Sequence, residues 1–195
     1  NGNLVWAHSF GGSGNDQPQN IAIDDSGNVF ATGVLRSSNV DFDPGPGTTL
    51  LSGSDQTFLL KLDSDGNFGF ARVYAGIAQD ITVDGTGIYT FGQFGGTGDF
   101  DPGPGTFNLT ESDGGGNDQV LVKLDLNGDF VFARQIEMSS FNGGFAVAVD
   151  SGSNIYVSGE IDGAGDVVDE EHPGPATPGV DGLVDAALGV GAPEV

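Results

Sequence analysis

Apolar and polar positions alternate with a period of two along short stretches of this chain. Ile21 and Ile23 fall on one face and Ala22 on the other; Phe58, Leu60 and Leu62 share a face, and Val120, Val122 and Leu124 repeat that choice further on. Such alternation predicts half-buried strands. Runs of Asp, Ser, Gly and Asn separate the strands, as in Asp24-Asp25-Ser26-Gly27-Asn28 before Val29-Phe30-Ala31-Thr32-Gly33. Asp63-Ser64-Asp65-Gly66-Asn67 likewise precedes Phe68-Gly69-Phe70-Ala71-Arg72. Runs joined this way read as hairpins. No segment carries a helical period with caps, so the pattern predicts an all-β chain.

The pattern then repeats. Phe70-Ala71-Arg72 returns as Phe132-Ala133-Arg134, with Trp6-Ala7-His8 one unit earlier, which sets a repeat of 62–64 residues. Ile21-Ala22-Ile23-Asp24, Ile81-Thr82-Val83-Asp84 and Val147-Ala148-Val149-Asp150 keep the same order within it. Four antiparallel strands per unit, with Gly and aromatic residues at fixed offsets, predict β-propeller-like blades. The small residues Ala22, Ala31, Ala71 and Ala148 suit a wedge that tapers toward an axis. Ile21, Ile23, Val29, Leu60, Phe70, Ile81, Val83, Val122, Phe132, Val147 and Val149 are the expected core. The whole chain, 1–195, reads as one repeat array: 4–10 an orphan outer strand, 11–74 blade 1, 75–136 blade 2 and 137–195 a degenerate blade 3.

GGSGND (11–16), IAIDDSGNVFATG (21–33), VDFDPGPGT (40–48) and FLLKLDSDGNFGFAR (58–72) together resemble the bacterial β-propeller repeats labelled SBBP. The resemblance covers residues 4 to about 160. It implies a propeller-like fold and display outside the cell or on its surface, and it transfers no catalytic residue. The third unit departs from the pattern: DVVDEEHPGP (166–175) only echoes the DFDPGPG string, and 182–188 replaces the usual third run without its lysine.

Composition narrows the partners. With 28 acidic residues against 5 Lys plus Arg, the formal net charge is −23, which disfavours nucleic acid and anionic membranes. Arg134 is the last cationic Lys or Arg, and eleven acidic residues follow it. There is no cysteine, so packing, metal ions or association must hold the fold. No run approaches the roughly 20 apolar residues of a membrane span.

Paired carboxylates are the first candidate chemistry. Asp41-Phe42-Asp43-Pro44-Gly45-Pro46-Gly47 returns as Asp99-Phe100-Asp101-Pro102-Gly103-Pro104-Gly105. In an extended segment Asp41 and Asp43, or Asp99 and Asp101, point the same way and with turn carbonyls offer oxygens suited to calcium. The other reading is a rigid turn, with Asp43 and Asp101 accepting local N–H groups and Phe42 and Phe100 plugging the core. Asp63-Ser64-Asp65-Gly66-Asn67 lacks the spacing of a calcium loop and reads as a turn. Lys61 and Lys123, and Arg72 and Arg134, occupy equivalent places, with His8 in the arginine's place one unit earlier. Repeated ion pairs are expected of them. No nucleophile string or His constellation argues for an enzyme.

A structural, self-assembling extracellular module is therefore expected. A ligand- or glycan-binding propeller is the alternative, with a fragment of a larger surface propeller as a further one. Trp6 is the single tryptophan and aligns with Phe70 and Phe132, which favours the structural reading. Leu4, Val5, Trp6, Ala7, His8, Ser9 and Phe10 align with the fourth strand of a blade whose other three strands are not ahead of them. This assembly strand is expected to complete the last blade of another copy, giving a head-to-tail homo-oligomer: a ring or a filament.

Overall fold

The computed structural model describes residues 2–112, 117–136 and 146–159. Among them every regular element is a strand. In the first unit β1 (Gln17–Ile23) and β2 (Val29–Leu35) are followed by a small hairpin, β3 (Val40–Asp41) with β4 (Leu50–Leu51). Then come β5 (Gln56–Leu62) and β6 (Phe68–Tyr74). The four long strands form one antiparallel meander in the order β1-β2-β5-β6. The second unit repeats the plan with β7 (Ile77–Asp84), β8 (Gly87–Phe94), the hairpin β9 (Thr97–Asp99) and β10 (Asn108–Thr110), β11 (Asp118–Leu124) and β12 (Phe130–Ile136). Of the third, β13 (Ala146–Val149) and β14 (Ile155–Ser158) are described as an antiparallel pair. The third run expected near 183–190 lies outside the described residues.

The turns show why the Asp-rich strings recur. Asp63 Oδ1 accepts the N–H groups of Asp65 and Asn67 at 2.9 and 2.8 Å, while the Asn67 amide donates to Oδ2 at 2.8 Å. Asp24 with Asn28 and Asp150 with Asn154 repeat the arrangement. A side-chain acceptor thus closes the turn that joins two strands. The fourth residue of the turn is left-handed, φ 83° at Gly66 and 82° at Gly128, a region in which glycine carries no Cβ penalty.

A second glycine position has another cause. The ladder slips between Pro18 and Asn20 in β1, and between Ala78 and Asp80 in β7. Opposite these bulges stand Gly33 and Gly92, where a Cβ would lie 2.2 Å from the Gln17 carbonyl oxygen and 2.0 Å from that of Ile77. Only a residue without Cβ permits that approach.

The units stack face to face. Phe30, Leu59, Phe70 and Tyr74 of the first join Ile81, Ile88, Val122, Leu124 and Ala133 of the second in one buried cluster. The far face of the second unit, with Tyr89, Phe91 and Leu121, receives Val147 and Ile155 of the third. Leu60, Phe70, Ile81, Val122 and Val147 are buried as the alternation predicts, and Val29, Val83, Phe132 and Val149 are half-buried. Ile21 and Ile23 are not buried: they are 60% and 62% exposed. Their alternation is that of a core strand, but among the described residues no sheet lies on the face they occupy.

The cations meet the ion-pair expectation in part: Arg36 pairs with Asp55 at 2.5 Å, whereas Lys61 and Arg72 are held mainly by carbonyls. Lys61 Nζ donates to the Leu126 carbonyl at 3.0 Å and lies over the Phe30 ring. Arg72 donates to the Gly128 and Asn127 carbonyls at 3.1 Å each and lies over Phe70. Arg72 also pairs with the Asp129 carboxylate of the next unit at 3.6 Å, the cross-unit ion pair expected of it. The cross-unit contacts of these two residues are thus mainly hydrogen bonds to turn carbonyls, which hold the cation against an aromatic ring. Asp125 spends its side chain on its own turn, accepting the N–H groups of Asn127 and Asp129.

Candidate assembly interface

Among the described residues, 2–10 form no ladder with any sheet, yet they lie against the face of the first unit on which no described sheet sits. Trp6 and Phe10 pack on the cluster of Phe42, Phe58, Leu60, Leu62 and Ala71. A row of rings runs from Trp6 to His8 (centroids 5.3 Å apart), to Phe10 (6.3 Å), to Phe42 (5.8 Å) and to Phe58 (5.4 Å). Spacing two residues apart puts Trp6, His8 and Phe10 on one side of an extended segment. Leu4, Val5, Ala7 and Ser9 are exposed, Leu4 and Val5 more than 80%.

The arm's position is that of an outer strand. Phe70 and Tyr74 of β6, one repeat after Trp6 and Phe10, pack on Val120, Val122, Leu124 and Ala133, the counterparts of Phe58, Leu60, Leu62 and Ala71. A Cβ at Gly128 would meet Phe70 at 2.7 Å; a Cβ at Gly66, the matching turn residue, would meet Trp6 and His8 at 2.9 Å. The Trp6 indole N–H donates to the Ser64 carbonyl at 3.1 Å, and the equivalent Leu126 carbonyl accepts Lys61 from the preceding unit. The arm therefore stands to the first sheet as β6 stands to the second. It differs in one respect: β6 is laddered to β5, whereas among the described residues no strand pairs with the arm.

Inner strands meet edge by edge. The Asn20 amide donates to Asp80 Oδ1, and the Val147 N–H donates to Asp80 Oδ2 at 2.7 Å, so one carboxylate ties three units. The Ile21 N–H, counterpart of Val147's, is taken by the Asn20 side chain at 2.8 Å. Sequence reading missed this link because Asn20 and Asp80 sit on bulges, which break the alternation that marks facing residues.

The carboxylate pairs serve their own loops. Asp41 Oδ1 accepts the N–H groups of Asp43 and Thr49 at 3.1 and 2.8 Å; Asp99 Oδ1 accepts those of Asp101 and Phe107 at the same distances. Asp43 and Asp101 each accept the N–H two residues on, at 2.7 Å. A Cβ at Gly47 or Gly105 would lie 2.1 Å from the Asp43 or Asp101 carboxylate, which explains the glycine closing each string. Phe42 and Phe100 are fully buried. Among the described residues no three His, Asp or Glu side chains gather closely enough to hold a metal ion.

Two four-stranded antiparallel sheets, stacked by complementary faces, define an all-β repeat protein whose units are consistent with propeller-like blades. A family model described as SBBP, a beta-propeller repeat, matches residues 5–43, and that stretch is similar to the repeats of that family. The matched stretch begins inside the arm and continues through β1, β2 and Asp43. No curated protein matches the chain.

Proposed function

We propose that this protein is a non-enzymatic structural module, displayed outside the cell, whose copies join head to tail. The arm of one copy serves as the outer strand of the last unit of the next. One observation carries the reading: residues 4–10 lie where an outer strand lies, with their backbone outside any ladder among the described residues. Unpaired strand edges beside an uncovered sheet face invite strand addition. The contact is heterologous, so it closes a ring if the rotation permits and otherwise grows a filament. Display outside the cell rests on what the family resemblance implies.

Deleting residues 1–10 tests the reading. Sedimentation velocity should find the full chain assembled and the deletion monomeric or non-specifically aggregated. A peptide of sequence LVWAHSF should compete with assembly. A deletion that assembles like the full chain contradicts the role given to the arm.

A further inference from the structure

The two described joints supply a template for a third contact, between copies. In each joint a small and an aromatic residue, paired across the first two strands, face the next unit. Ala22 pairs with Phe30 and packs with the Ile81–Ile88 cluster; Thr82 pairs with Tyr89, which packs with Val147 and Ile155. In the third unit the same place is held by Ala148 paired with Tyr156. Among the described residues Ala148 is exposed and Tyr156 is half-buried with no described sheet on that face. At the opposite end of the stack Ile21 and Ile23, counterparts of Ile81 and Val83, lie exposed. The described stack thus presents one half of a joint at each end.

The geometry points to a second copy as the occupant: the Ala148–Tyr156 face of one chain seats on Ile21 and Ile23 of the next. This inference rests on the head-to-tail reading above. It adds an inner-strand contact to the one the arm makes at the outer edge. The hydrogen bonds of the inner strands fit the third unit in particular. Where a unit follows Asp80, its N–H goes to that carboxylate, as Val147's does. The residue of the third unit equivalent to Asp80 is Ala146, which accepts nothing with its side chain. The strand that would follow it, β1, needs nothing there, because Asn20 already takes the Ile21 N–H. The new joint therefore leaves that donor paired, the condition for burying it at no hydrogen-bond cost. The arm need not move: it already lies where the outer strand of the incoming sheet would stand.

The test uses two full-length variants altered at exposed positions. Ile21→Glu with Ile23→Glu blocks one face, and Ala148→Glu blocks the other; a circular dichroism spectrum matching the parent shows that each folds. In sedimentation velocity each alone should be a monomer at concentrations where the parent assembles. An equimolar mixture should form a dimer and nothing larger, since one open face of each kind remains. Variants that assemble like the parent, or a mixture that stays monomeric, overturn the joint. A parent that is itself monomeric overturns the joint and the head-to-tail reading together. The arm deletion run beside them separates the two ideas. Loss of assembly in the deletion alone keeps the arm's role and rejects this joint, and loss in the face variants alone does the reverse.

Discussion

The Tyr74 hydroxyl meets Thr90 Oγ1 at 2.8 Å in the buried seam between the first two units. Both groups are cut off from water, and burial raises the tyrosine pKa above its ordinary value despite the hydrogen bond. At the equivalent places in the arm and first unit stand Phe10 and Ala31, and between the second and third units Ile136 and Val157. The polar pair occurs where both members are present, and elsewhere both are apolar.

Removing one member should therefore cost more than removing both. Tyr74→Phe leaves a buried Thr90 hydroxyl unpaired and should destabilise by about 1–2 kcal/mol. Tyr74→Phe with Thr90→Val should recover most of that loss. Urea denaturation of the two single variants and the double variant gives the coupling; strictly additive losses contradict a shared bond.

Arm docking can be read from the one tryptophan. Gly66→Ala adds a Cβ at a left-handed position, 2.9 Å from Trp6, so the residue is strained and the arm displaced. Stability should fall by more than about 1 kcal/mol, and the Trp6 emission should shift to the red. Unchanged emission means that the indole is not held on this turn.

Acid should weaken the turns. Asp63 is held below the usual carboxylate range by the Asn67 side chain and backbone, and Asp125 by the backbone N–H of Asp129. A depressed folded pKa contributes stability that is complete above the unfolded value of about 3.9 and is lost as pH falls through the lower folded one. Neutralising a surface of charge −23 works the other way by relieving repulsion. The difference between chains isolates the turn: between about pH 5 and pH 2.5 the parent should lose more melting temperature than Asp63→Asn does. Equal losses contradict the assignment.

Metal removal separates the two readings of the repeated Asp pairs. Asp41 and Asp99 each take two backbone N–H groups, so their loops are held by their own hydrogen bonds. EGTA should leave the melting curve unchanged. A drop that calcium restores, and that Asp41→Asn with Asp99→Asn abolishes, would assign the motif to a cation.

Much of this was legible in the chain itself. Alternation at Phe58, Leu60 and Leu62 marked a strand with a buried face, and the Asp-to-Asn spacing in 63–67 marked its turn, because both are local consequences of backbone geometry. The exposure of Ile21 and Ile23 was not legible, since periodicity reports which face a residue shares and not what covers that face. The contacts of Lys61 and Arg72 were only partly legible for a related reason. Charge counting expects carboxylate partners, whereas the stacking of units puts a turn's carbonyls nearer, and where a neighbouring turn lies is a tertiary fact. The small hairpins β3–β4 and β9–β10 are too short for alternation to show.

The most direct measurement is amide hydrogen exchange across residues 4–10 as a function of protein concentration. An arm that becomes the outer strand of a second copy's sheet gains a ladder on assembly. Alternate amides of Leu4 to Phe10 should then become protected as concentration rises, and mixing with excess LVWAHSF peptide should remove the protection. Exchange at free-chain rates at every concentration, or protection that is independent of concentration, would contradict the account.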